Sequence, residues 1–133
     1  MMKQTLWLCL FLSVCVQAYA SNEYYCFANG NGKKSILLVS PQYQKTLSIK
    51  YYPYLKDIKL SEPVHIEEVE MGEVAQPEVY KTMNELIDGK VTGQYTFVSQ
   101  GYILYGVSYR NLKTKKETHF EQVSLNLKGI SCL

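Results

Sequence analysis

Histidine is almost absent from this 133-residue chain, which has only two, and the shortage removes most metal and acid–base chemistry. His65-Ile66-Glu67 would put two ligand-capable side chains on one face of a strand. No third ligand follows at a useful spacing, so the trio reads as surface. His119, next to Phe120, reads as structural or exposed. There is no Gly-x-Ser-x-Gly, Cys-x-x-Cys, His-Glu-x-x-His or Gly-rich phosphate loop. Paired acids are plentiful between Glu62 and Asp88, but abundance alone assigns no general acid or base. The expectation is therefore a non-enzymatic protein that needs no cofactor and no metal. The single tryptophan is Trp7. No apolar run reaches the about 20 residues of a membrane-spanning helix. No repeat, low-complexity tract or long linker divides the chain. The absence of an Asn-x-Ser/Thr sequon fits a bacterial source.

What is present begins with an address. Lys3 supplies a positive start, residues 6–16 form a short apolar core, and Ala18-Tyr19-Ala20 puts small residues at the −3 and −1 positions of a signal-peptidase site. Cleavage after Ala20 would leave residues 21–133 as one β domain, periplasmic or secreted, with no membrane span. It would also remove Cys9 and Cys15, leaving Cys26 and Cys132, one near each end. An exported chain meets an oxidising compartment, so a Cys26–Cys132 disulfide is expected. A loop of that length is worth up to about 4.7 kcal/mol in the chain-entropy model.

The near-neutral total charge hides a partition. Residues 62–88 carry Glu62, Glu67, Glu68, Glu70, Glu73, Glu78, Glu85 and Asp88 against Lys81 alone, a net charge of −7, between flanks that are each net +4. Such a segment suits an acidic face that steers a basic protein partner. The dispersed basic residues argue against nucleic acid.

The fold class expected is all-β, a small antiparallel meander or barrel. Residues 90–98 and 102–110 are rich in Tyr, Val, Phe, Ile and Thr, as half-buried strands are. Asp88-Gly89 is a two-residue hairpin signal, and Ser99-Gln100-Gly101 reads as a three-residue connection. A polar loop at 111–116 leads into a strand at 117–127, with a bulge expected near Glu121-Gln122 because Phe120 is out of phase with Val123, Leu125 and Leu127. Upstream, 24–28 and the apolar run 35–40 read as strands, with Asn29–Gly32 as a turn between them and 41–45 as a second turn. Leu47, Ile49 and Tyr51 alternate until Pro53. Residues 54–63 read as a connection with a short pair around Ile58 and Leu60. Val64 and Ile66 lead into Val69 and Met71, with a slip expected at Glu67-Glu68. Only 78–87 is ambiguous: Val79, Met83, Leu86 and Ile87 have helical spacing, yet Asp88-Gly89 would close a hairpin, and the strand is preferred.

Tyrosine is the other excess, with twelve in the chain. Tyr105 and Tyr109 alternate with Ile103 and Val107 and are expected to cover a core. Tyr52 and Tyr54, beside Pro53, are candidates for an interface. Together with Glu67, Glu68, Glu70, Glu73, Ser99 and Gln100 they make up the expected binding set.

The first strand carries Tyr24-Tyr25-Cys26, and the chain closes with Leu125-Asn126-Leu127 and then Cys132. In these features it resembles the periplasmic C-type lysozyme inhibitors. The resemblance implies a small antiparallel barrel with a disulfide joining its ends, which inserts loop residues into a lysozyme cleft. The family's Ser-Gly loop is echoed at Ser99-Gln100-Gly101. Its tryptophan-containing strand has no counterpart, and no lysine of its inhibitory site carries over. Three functions fit: an inhibitor or immunity-type protein acting on a basic cell-wall hydrolase or toxin, a barrel that carries a small apolar ligand, and an envelope assembly protein.

Overall fold

The computed structural model describes residues 22–29, 35–40 and 49–133. The expected leader at 1–20, most of the turn that follows Asn29, the turn at 41–45 and Leu47 lie outside the described residues. Ten strands follow in chain order: β1 (Glu23–Asn29), β2 (Ile36–Val39), β3 (Ile49–Tyr52), β4 (Asp57–Val69), β5 (Glu78–Ile87), β6 (Lys90–Gln100), β7 (Ile103–Asn111), β8 (Glu117–Gln122), β9 (Asn126–Leu127) and β10 (Ile130–Cys132). Strands β1 to β8 pair with their neighbours in sequence, and β8 pairs back onto β1, so the sheet closes as an eight-stranded antiparallel barrel. Closure removes the open sheet edges that invite aggregation.

Local chemistry sets the turns. Asp88 and Gly89 have φ of 51° and 75°, two successive left-handed residues as a type I′ turn requires, and that turn joins β5 to β6. The ambiguous 78–87 segment is strand β5. The β6–β7 connection is tighter than its sequence suggests: Gln100 pairs with Ile103, leaving Gly101-Tyr102 as a two-residue turn with Gly101 at φ 59°. Between β7 and β8, Asn111 Oδ1 accepts from the backbone amides of Lys113 (2.9 Å) and Thr114 (3.0 Å).

Irregular pairing re-aims several side chains. In the β6–β7 ladder Val98 faces Gly106 while Ser99 faces Leu104, so Tyr105 is an extra residue. The bulge reverses the alternation, because side chains along a strand repeat every two residues. Leu104, Val107 and Tyr109 therefore face inward, whereas Ile103 is 62 % and Tyr105 37 % exposed. Tyr105 and Ile103 do not cover the core as their spacing from Val107 suggested. Similarly, the slip in β4 does not fall at Glu67-Glu68. Two irregularities bracket Pro63, which cannot donate to the ladder. No bulge forms near Glu121-Gln122. β8 ends at Gln122, and the Val123 amide bonds the Cys26 carbonyl at 2.9 Å.

Inside the barrel Phe27, Leu37, Val39, Ile49, Met83, Tyr95, Phe97, Leu104, Val107 and Phe120 form one hydrophobic cluster. On the outside of β5 and β6, Thr82 is bonded to Thr96 (3.0 Å) and Gln94 to Asn84 (3.0 Å). Among the described residues no helix is long and apolar enough to cross a membrane. Outside the barrel, β10 runs parallel to the start of β1, and Cys132 is bonded to Cys26 with a Cα–Cα distance of 5.4 Å. This disulfide is compatible with an oxidising, exported location.

Candidate functional site

The barrel presents two chemically different ends. Its strands alternate in direction, so the β4–β5 and β6–β7 connections share one end. The β3–β4, β5–β6 and β7–β8 turns share the other.

At the first end β4 and β5 outrun the core. From Val64 to Val69 every residue of β4 is exposed, on both faces, while pairing with β5 continues from His65–Thr82 to Val69–Glu78. The result is an arm. Glu67 and Glu68 lie on it opposite Tyr80 and Val79, and Glu70 and Glu73 lie in the exposed connection beyond. Tyr80 donates its hydroxyl to Glu78 and is held above the ordinary tyrosine range by that bond. Gln100 joins this end directly: its Nε2 donates to the Gln76 carbonyl at 2.9 Å, tying the β6–β7 turn to the arm. Ser99 is at the same end but is only 7 % exposed, between Val79 and Leu104. The turn presents Tyr102 instead, 88 % exposed, beside Ile103. Val64, Ile66, Val69, Met71 and Val74 give the acidic arm an apolar component.

Tyr52 and Tyr54 are at the opposite end, so the eight expected binding residues do not form one site. Tyr54, 85 % exposed, stands beside a cleft of about 390 Å³ whose walls include Tyr51, Lys56, Ile58, Leu86, Ile87 and Asp88. A second hollow of about 350 Å³ lies on the Tyr52-Pro53 side of the same turn.

Behind Tyr51, inside the barrel, is a polar cluster that the charge pattern concealed. Glu85 is 6 % exposed. Its Oε1 accepts from Thr92 Oγ1 (2.7 Å) and Tyr109 OH (2.9 Å), and its Oε2 from Tyr95 OH (3.2 Å). The Tyr95 and Tyr51 hydroxyls are 2.8 Å apart. A buried carboxylate needs such donors, since unpaired burial of a charge is costly. Burial raises Tyr95 above its usual range and likewise Tyr51. Burial and the bond to Glu85 push Tyr109 up to about 12. Gly93 makes the cluster possible: a Cβ there would sit 2.6 Å from Tyr109 Cζ. The clue in the sequence was parity, because Glu85 follows the inward residue Met83 at the two-residue strand period.

The acidic face is accordingly smaller than residues 62–88. Glu85 is inside and Asp88 is at the other end. Glu62, Glu67, Glu68, Glu70, Glu73 and Glu78 remain, with Lys81. No group of three or more His, Cys, Asp or Glu side chains among the described residues could hold a metal. Comparison with family models, with curated proteins and with solved structures finds no match.

Proposed function

We propose that this chain is an exported protein-binding domain that captures a basic partner with its β4–β5 arm, in the manner of an inhibitor or immunity-type protein of the periplasm. The observation that supports the reading is the arm itself. Glu67, Glu68, Glu70 and Glu73 and several exposed apolar side chains ride on a ribbon that buries almost none of them. A strand whose two faces are both solvated contributes little to its own fold, so its apolar residues are better accounted for by contact with something else. The carboxylates supply long-range attraction. Val69, Met71, Val74, Tyr102 and Ile103 supply the area that excludes water once a partner is seated.

The resemblance to C-type lysozyme inhibitors suggests the class of partner: a basic cell-wall hydrolase. This chain lacks that family's tryptophan strand and buries Ser99, so the arm and the Gly101-Tyr102 turn would do the binding. Carriage of a small apolar ligand fits less well. Aromatic and aliphatic side chains fill the interior, so a carrier would have to use the cleft at the barrel's end.

The test uses residues 21–133 and a C-type lysozyme as the basic hydrolase. The domain should bind it and slow lysis of cell-wall substrate, and Glu67→Lys/Glu68→Lys/Glu70→Lys should weaken both effects about tenfold or more while the fold survives. Equal inhibition by the triple variant would remove the arm from the account.

A further inference from the structure

The end of the barrel opposite the arm combines two features that seldom meet without a reason. The first is apolar side chains at turn tips: Tyr54 is 85 % exposed, Leu55 43 %, Ile87 52 % and Val91 47 %. The second is a set of cations around them. Lys56, Lys59, Lys90, Lys113, Lys115 and Lys116 are all exposed at this end, against Asp57, Asp88 and Glu117. Asp57 is already paired with Lys50 at 3.3 Å.

Two contacts make these turns one surface. Tyr54, Lys56, Ile87 and Asp88 line the same cleft, which joins the β3–β4 turn to the β5–β6 turn. Val91 follows that second turn directly. The Leu112 amide then donates to the Thr92 carbonyl at 3.2 Å, which fixes the lysine-bearing β7–β8 turn beside the start of β6. Asn111 Oδ1, bonded to two amides of its own turn, holds Lys113 and the residues after it in place.

We propose that this end docks on an anionic lipid bilayer surface, lying on it without crossing it. Lysines near such a surface are attracted to its negative potential, each by roughly fivefold in partition. Tyrosine favours the headgroup level, where its ring is buried and its hydroxyl stays wet. Tyr54, Leu55 and Ile87 are the side chains placed to reach that depth. Charge complementarity selects this occupant over a second copy of the chain's cationic end, which would repel it. Docking by this end would point the acidic β4–β5 arm away from the membrane, toward a soluble partner. The inference does not depend on the arm's function.

The experiment is co-sedimentation of residues 21–133 with vesicles of phosphatidylcholine alone, and of phosphatidylcholine with about one-third phosphatidylglycerol. Binding is expected to the anionic vesicles only, weakening as salt rises. Lys56→Gln/Lys113→Gln/Lys115→Gln should lower the partition roughly 100-fold, since three contributions of about fivefold multiply. Tyr54→Ser/Ile87→Ser, which leaves the charge intact, should weaken it as well. Glu67→Gln/Glu68→Gln/Glu70→Gln, which weakens the arm's charge without adding cations to it, should leave vesicle binding in place, so this inference and the proposed function fail independently. Unchanged melting temperatures would show that every variant is folded. Equal binding to both vesicle types, no effect of the lysine changes in a folded variant, or full competition by millimolar inorganic phosphate would each overturn the proposal; the last would make this a site for a small free anion.

Discussion

Replacing Glu85 separates two roles that its position allows, an acceptor for hydroxyls and a charge held inside the barrel. In Glu85→Leu the side chain keeps a similar volume, but Thr92, Tyr95 and Tyr109 lose their acceptor. Tyr95 can redirect its proton to Tyr51, 2.8 Å away. Two donors are then left, each costing about 1–3 kcal/mol if it stays unsatisfied. Removing the buried carboxylate recovers part of its desolvation cost, so the net loss should be about 2–4 kcal/mol. Glu85→Gln differs. Its Oε1 can keep Thr92 and Tyr109, while its Nε2 can donate to the Tyr95 hydroxyl, which in turn donates to Tyr51. Every group remains partnered and the charge is gone, so the loss should stay within about 1 kcal/mol. Urea unfolding of residues 21–133 followed by tyrosine fluorescence measures both, since the only tryptophan, Trp7, lies outside that span. Adding Tyr95→Phe and Tyr109→Phe to the leucine variant should recover part of the loss, because of Glu85's three donors only the Thr92 hydroxyl is then left without its acceptor. If leucine costs no more than glutamine, the cluster is not held together by these hydrogen bonds.

Alkaline pH should attack the same cluster. Tyr51, Tyr95 and Tyr109 have pKa values raised in the folded state. Their neutral forms are thus favoured by folding, and that contribution is complete below about pH 10, the unfolded tyrosine value. It should be lost as pH climbs from there through the folded value of Tyr109, about 12; a pH titration of stability that stays flat across this window would refute the burial argument. Cys132→Ser should cost about 2–5 kcal/mol, checked by denaturant melts with and without reductant on the parent protein. Gly93→Ala should destabilise by about 1–3 kcal/mol through overlap with the Tyr109 ring, and pairing it with Tyr109→Ala should relieve the overlap. Tyr105→Ser, outside the barrel on its bulge, should change the melting midpoint little, where Leu104→Ser should unfold the domain.

Much of the barrel was legible because its signals are local. Asp88-Gly89 suits a hairpin turn but also a helix C-cap, and the strand at 78–87 follows from the meander on either side of it despite the helical spacing. The alternation along β6 passes straight into the core. Reading failed where a single residue shifts the phase. The extra residue at Tyr105 turns Ile103 outward and Leu104 inward, and nothing within 102–110 marks which residue is surplus; pairing to Val98 and Ser99 decides it. Pro63 displaced the expected slip in β4 for a similar reason. At the candidate site, charge counting found the arm but swept in Glu85, since counting along the chain ignores the side of a strand on which a residue falls. Ser99 and Gln100 are neighbours in sequence, yet one is buried and the other reaches Gln76. Tyr52 and Tyr54 were grouped with the acids by composition, and strand direction puts them at the far end. The cationic surface was invisible because its lysines come from turns between different strand pairs.

The most direct test of the arm's role is the rate of association with a basic lysozyme as salt is raised. If the acidic arm steers the partner, the on-rate should fall steeply as ionic strength passes the physiological range, where screening limits the field to about 8 Å. Glu67→Lys/Glu68→Lys/Glu70→Lys should slow association by about tenfold or more at low salt, and flatten the salt dependence. An on-rate indifferent to salt and unchanged by the triple reversal would contradict the account.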